Sequence, residues 1–441
     1  MRLWKIAVRS MQQRLLASTL TGLSMALGVA LVITVLVILG VIRDSFGRGA
    51  QGYHMIVGPK GGKLQLVLNT VYHLSQPIEN LPWSYYKKFK TPGKENFGDY
   101  VATAIPFCLG DNYEGYRVVG TTRDMFTKLE YAADKKYEFA EGRNFLQTGY
   151  FEAVIGAGVA KQTGLKLGDK FMPTHGVSEN EDGHVHHDEF KVVGILAPTG
   201  TPNDRALFVN IEGFYLLEGH AKGPGVPHAE GETAEHDDHA GHDHAGHDHH
   251  HHEPLPEDQR EVTAILVVVK NDLYAASLSQ KINEGLEAQS VAPTREIQSL
   301  MEEIVRPVEW LLLFLTSTVV VVAGIGILVS IYNSMNDRQH DIAVMRALGA
   351  RRGTVMSIVL LESLLLALGG GLAGVLLGHG LIGAIDPIIE TRTGVSVGFL
   401  QFERIELILI PGLTILAALV GFLPSLAAYR TDVAKALTAR P

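Results

Sequence analysis

Four stretches of the 441-residue chain contain no Asp, Glu, Lys or Arg. They are 28 residues between Arg14 and Arg43, 27 between Glu309 and Asp337, 23 between Glu362 and Asp386, and 23 between Glu406 and Arg430. About 20 apolar residues in a helix cross the hydrocarbon core of a bilayer, because a helix satisfies its own backbone polar groups where no water can. Spans are therefore predicted near 17–42, 309–334, 354–384 and 406–429. The fold expected is a membrane protein with four transmembrane α-helices and a large α+β extracytoplasmic domain between the first and second. The first run is much longer than the roughly 7–15 apolar residues of a cleaved signal peptide, and no small-residue cleavage site follows it. It reads as an uncleaved anchor.

Bases set the orientation. Residues 1–16 carry Arg2, Lys5, Arg9 and Arg14 with no acid, and the loop 334–353 carries Arg338, Arg346, Arg351 and Arg352. The tail adds Arg430, Lys435 and Arg440, whereas the loop after the third span balances Arg392 and Arg404 against three acids. The excess of Lys and Arg on cytoplasmic loops places both termini and 334–353 inside, and the region 44–307 outside. The expected organisation is 1–43, an N-terminal helix and first span; 44–307, the outer domain; and 308–441, three spans with the loop 334–353.

Short apolar runs predict outer-domain strands at Val101–Phe107, Tyr116–Gly120, Ala153–Ile155, Phe190–Leu196, Ala206–Val209 and Thr263–Val269. Helical spacing appears near Leu64–His73, Trp83–Phe89, Gly158–Thr163 and Leu273–Gln289. Without regular βαβ alternation, this mixture favours α+β. Ser299–Arg306 leads straight into the second span and reads as a helical stalk. The lone Cys108 excludes an intrachain disulfide and a cysteine-built metal cluster.

The net charge of −9 is concentrated in 218–258, which holds eleven acids and one base, and the remainder is near neutral. No basic face for nucleic acid is indicated. Fifteen of the nineteen histidines fall in two places: His175, His184, His186 and His187 in one, and eleven between His220 and His252 in the other. Segment 219–259 has too few apolar residues to form a core and reads as a disordered insert. Its His236, His239, His242, His244, His247, His249, His250, His251 and His252 alternate with Asp and Gly. Neutral imidazole and carboxylate suit zinc, nickel or copper, so a zinc-class metal is the ligand this insert could take. The competing reading is a solvated low-complexity loop with incidental metal affinity.

Within the spans, Gly370, Gly374 and Gly378 recur every four residues and share one helix face. They admit a second helix at close range, from the same chain or from another copy. Glu362, near the start of the third span, is either functional or a structural carboxylate reaching the interface. No phosphate-binding loop is present. Gly58 to Lys63 has the wrong glycine spacing, and Leu64 stands where a magnesium-binding Ser or Thr would be needed. No catalytic motif is found, and the chain binds no cofactor by sequence pattern.

The run Arg338-Gln339-His340-Asp341-Ile342-Ala343-Val344-Met345-Arg346-Ala347-Leu348-Gly349-Ala350 resembles the cytoplasmic loop of MacB/FtsX-type ABC permeases, with Asp341 where Glu is usual. Glu362 with the Gly-rich helix agrees, as does the tail from Pro424 to Ala436-Leu437, where Val433 replaces an expected Pro. Val154-Ile155-Gly156 through Gly168-Asp169 and Phe190 to Gly194 resemble the outer core of the MacB and LolC/LolE branch.

The resemblance implies a non-catalytic permease subunit in a bacterial cytoplasmic (inner) membrane, working among membrane lipids as a homodimer or beside a similar permease. ATP and magnesium would be held by a separate cytoplasmic ATPase, with Arg338, Asp341, Ile342, Met345, Arg346, Leu348 and Gly349 coupling to it. Motion would pass to the outer domain for export or extraction of substrate, with a periplasmic adaptor as a further partner. The alternative is a membrane protein that handles zinc-class metal through its His-rich loop.

Overall fold

The computed structural model describes residues 3–49, 52–132, 134–176, 186, 188–217, 254–337, 339–393 and most of 411–426. The chain divides into two compact units, one of residues 45–300 and one of residues 1–44 with 301–441.

The 45–300 unit is built on an eleven-stranded sheet. In chain order its strands are β1 Met55–Pro59, β2 Val101–Tyr113, β3 Tyr116–Thr121, β4 Phe139–Gly142, β5 Glu152–Ile155, β6 Lys170–Phe171, β7 Thr174–His175, β8 Phe190–Leu196, β9 Ala206–Asn210, β10 Ala264–Val269 and β11 Ala288–Val291. Their order across the sheet is β11-β1-β10-β2-β3-β9-β5-β8-β4, with β7 on β2 and β6 on β8. The pairs β3–β9 and β5–β8 are parallel and the rest antiparallel, so the sheet is mixed.

Strand β2 joins the two halves of this sheet. Its first part, Val101 to Phe107, pairs with β10, and its second, from Cys108, pairs with β3. The β2–β3 connection is two residues, Glu114 at φ 48° and Gly115 at φ 78°. Left-handed backbone at both positions is the turn whose twist matches antiparallel strands. Val57, Val118, Ile155, Val192, Leu207 and Ile265 are fully buried along the strands, and the helix Trp83–Lys90 adds Tyr85, Tyr86 and Phe89 to the same core.

Every predicted strand is present, and β1, β4, β6, β7 and β11 add to them. The expected helix 273–289 stops at Glu284, and Gly285 leads to the buried strand β11. Strand β1, fully buried, carries no alternation because both its faces are covered. The insert also ends earlier than its composition suggests. Residues 218–253 lie outside the described residues, but Leu255 packs on the core and Arg260 Nε donates to its carbonyl at 2.6 Å. Residues 254–259 are therefore ordered chain.

The other unit contains α1 Leu3–Gln13, α2 Leu15–Gly49, α3 Arg306–Asp337, α4 Gln339–Ala347 and α5 Arg352–Thr393. Among the described residues three helices are long and apolar enough to span a membrane: Leu15–Arg43, Pro293–Asn333 and Arg352–Pro387. The second is helical throughout, with a π turn at Met301–Val305. For the expected fourth span, a shorter apolar helix Thr414–Leu423 is described, and 394–410 and 427–441 lie outside the described residues.

Candidate coupling segment

Helix α5 meets α2 along its glycines. Met25, Val29, Ile33 and Val37 form an i, i+4 ridge on α2 and are buried. A Cβ on Gly370 would lie 3.0 Å from the Met25 Cβ, one on Gly374 2.5 Å from the Val29 Cβ, and one on Gly378 3.1 Å from the Ile33 Cβ. These separations are below ordinary van der Waals contact, so hydrogen is the side chain this seam accommodates. The three glycines thus serve contact within the chain.

The start of α5 is held by the N-terminal helix. Ser10 Oγ on α1 donates to Glu362 Oε2 on α5 at 3.0 Å, with both side chains buried. Ala7, one turn earlier on α1, is fully buried. Farther along α2, Arg43 Nη2 donates to both carboxylate oxygens of Glu309 at 3.0 Å.

Helix α4 lies between α3 and α5 in the chain. Ile342 and Ala343 are buried at 5 % and 0 % exposure, and Ile342 joins Val355, Val359 and Met335 in the core of this unit, with Met345 packed against it. The helix ends where the sequence demands. Gly349 N donates to the Arg346 carbonyl at 3.0 Å and Ala350 N to the Met345 carbonyl at 3.0 Å, with Gly349 at φ 100°. This paired closure satisfies the last carbonyls and requires a left-handed residue, which glycine adopts without strain. It leaves Leu348 83 % exposed and Val344 39 % exposed, with Arg346 half-buried beside them.

Comparison with known proteins places these features in a family. The profile of the MacB-like periplasmic core domain matches residues 18–283, and that of the FtsX-like permease C-terminal region matches residues 313–433. The chain belongs to the MacB/FtsX-type ABC transporter permeases. It is 22 % identical over 432 residues to an uncharacterized ABC transporter permease of Methanocaldococcus jannaschii, covering 94 % of this chain and 91 % of that one. It is 31 % identical over 112 residues to the macrolide export ATP-binding/permease protein MacB of Bdellovibrio bacteriovorus, covering 25 % of this chain and 17 % of that protein. To MacB of Acinetobacter baylyi it is 27 % identical over 187 residues, 41 % of this chain and 27 % of that protein.

For this permease the expected coupling residues separate into two groups. Ile342 and Met345 pack against the chain's own core, and Leu348 and Val344 are the large exposed apolar groups of α4 and its closing turn. Gly349 shapes the turn. Asp341 lies on α4, and Arg338 lies outside the described residues, as do His236, His239, His242, His244, His247, His249, His250, His251 and His252. Sequence reading missed Ser10 as the partner of Glu362. Its signal was faint: one hydroxyl in an amphipathic basic helix, 352 positions away.

Proposed function

We propose that this chain is the membrane subunit that couples ATP hydrolysis by a separate cytoplasmic ATPase to movement of its extracytoplasmic domain. It works in a bacterial cytoplasmic membrane, with both termini inside, as a dimer of itself or with a similar permease. Cargo is exported or extracted on the outer side rather than passed through a pore. A periplasmic adaptor is a natural further partner.

The observation that carries this reading is α4. A short helix is fixed on one face by Ile342 and Ala343, closed by Gly349, and presents Leu348 outward beside Arg346. An apolar group next to a cation is an arrangement in which burial supplies affinity and charge sets register. Because α4 is anchored in the same core as α5, force applied at Leu348 acts on packed helices rather than on a slack loop.

The test is to replace Leu348 with Asp and Arg346 with Glu, separately. Copurification of the ATPase and stimulation of its hydrolysis should fall together, while the permease still folds, since neither side chain is part of the core. Unchanged copurification and unchanged stimulation in both variants would overturn the docking assignment.

A further inference from the structure

We propose that Asp111, His175 and His186 form a binding site for a zinc-class divalent cation on the outer domain. The proposal is independent of the coupling reading, because all three residues lie in the 45–300 unit.

The site is assembled by backbone geometry. The β2–β3 ladder shifts register between Leu109 and Asp111, which places a bulge at Gly110. A bulge turns a side chain away from its regular alternation. Strand β7 then pairs with the same part of β2, setting Thr174 opposite Asn112 and His175 opposite Asp111. Gly176, at φ 108°, donates its N–H to the Gly110 carbonyl at 3.0 Å, and Asn112 Nδ2 donates to the Gly176 carbonyl at 3.0 Å. His186 is brought back to the same place by its own N–H, which donates to the Pro173 carbonyl at 3.0 Å.

The donor atoms converge. His175 Nδ1 lies 3.2 Å from Asp111 Oδ1, and His186 Nε2 lies 3.5 Å from Asp111 Oδ2. All the candidate ligand atoms fall within 4.8 Å of one another. A four-coordinate zinc about 2.0–2.2 Å from each ligand sets its donors roughly 3.3 Å apart. The present spacing needs a small contraction, and the means is at hand. Asp111 and His186 are fixed in the interior at 0 % and 3 % exposure, while the His175 side chain is 58 % exposed and can swing inward. Two imidazoles and one carboxylate suit zinc and its neighbours better than magnesium or calcium, and leave room for a water or an exchangeable ligand.

One charge opposes the cation. Arg117, buried on β3 opposite Asn112, interacts with the Asp111 carboxylate. Its guanidinium is tied to the Ser75 carbonyl at 2.7 Å. The site is therefore expected to favour a cation that gains strong imidazole bonds over one held by charge alone.

The experiment uses the full chain in detergent, loaded with Zn²⁺, passed over a desalting column and assayed for retained zinc per chain. His175→Ala with His186→Ala should lower the count by one equivalent, whatever the His-rich segment retains. His54→Ala, which removes an outer-domain histidine away from the cluster, should leave the count unchanged. His175→Ala alone should weaken zinc in chelator competition by at least about 10-fold. Because that side chain is exposed, this variant decides the matter should the double variant fail to fold. Cobalt substitution should give a visible band in the parent that is absent from His175→Ala. Equal retention by parent and both His175 variants would overturn the proposal, and so would equal losses in His54→Ala.

Discussion

Ser10 Oγ and Glu362 Oε2 are 3.0 Å apart, joining the N-terminal helix to the start of α5 across 352 positions of sequence. Both groups are buried, so the hydroxyl supplies the carboxylate with a donor where water is scarce. Removing it leaves a buried acceptor short of one bond, at a cost of about 1–3 kcal/mol. Ser10→Ala is expected to lower thermal stability in detergent and to increase protease cleavage near residues 1–14. Ser10→Thr, which keeps the hydroxyl, should do less. If Ser10→Ala matches the parent in both assays, the contact does not hold α1 in place.

The glycine seam makes a sharper contrast. Gly374 faces Val29 and the Ala26 carbonyl at distances that no Cβ can share, whereas Gly369 has open space around its would-be Cβ. Gly374→Val should cost about 3 kcal/mol, the upper end of overpacking penalties. Gly369→Ala should cost nothing. Unfolding midpoints of the two purified variants give the comparison, and equal midpoints would contradict the seam.

Cys108 offers a probe of the outer domain. It is buried against the Tyr215 hydroxyl and the Glu261 carbonyl, each 3.3 Å from its sulfur, and burial pushes its thiol up to about 12. A neutral, inaccessible thiol is a poor nucleophile. Maleimide should leave the native chain unlabelled and modify one site once the outer domain unfolds, so labelling kinetics report that unfolding. Stoichiometric labelling of the native chain at neutral pH would rule this out.

His73 predicts an acid sensitivity. Burial, foremost, and the nearby Arg117 and Arg205 hold its pKa down at about 4, against a partial lift from its hydrogen bond to Asn203 Oδ1 at 3.2 Å. Its other ring nitrogen, Nδ1, is buried without a hydrogen-bond partner, so a second proton has no acceptor there. An unfolded histidine takes its proton near pH 6.5, before the folded one does. The stability that His73 contributes is therefore complete above about pH 6.5 and is lost as pH falls toward 4. His73→Asn tolerates the left-handed backbone at φ 57° and cannot titrate. Its outer domain should lose less stability than the parent between pH 6.5 and 4. Parallel pH profiles would show that His73 is not the group responsible.

Much of this permease could be read along the chain, because the deciding quantities are local. Runs free of charge mark the three spans among the described residues, and apolar runs mark six strands of the sheet. Gly349 closes α4, since a left-handed closure needs glycine at that offset. Other features depend on which residues meet, and no local pattern records that. Gly370, Gly374 and Gly378 could have served two chains or one; the ridge of Met25, Val29 and Ile33 decided. Ile342 and Leu348 share helical spacing, yet the neighbouring helices bury one and leave the other exposed. Gly110-Asp111-Asn112 is held within β2 by its pairing with β3 and β7. That long-range pairing brings Asp111 to His175 and His186, because hydrogen bonds between strands distant in sequence, rather than propensity, fix where each side chain points.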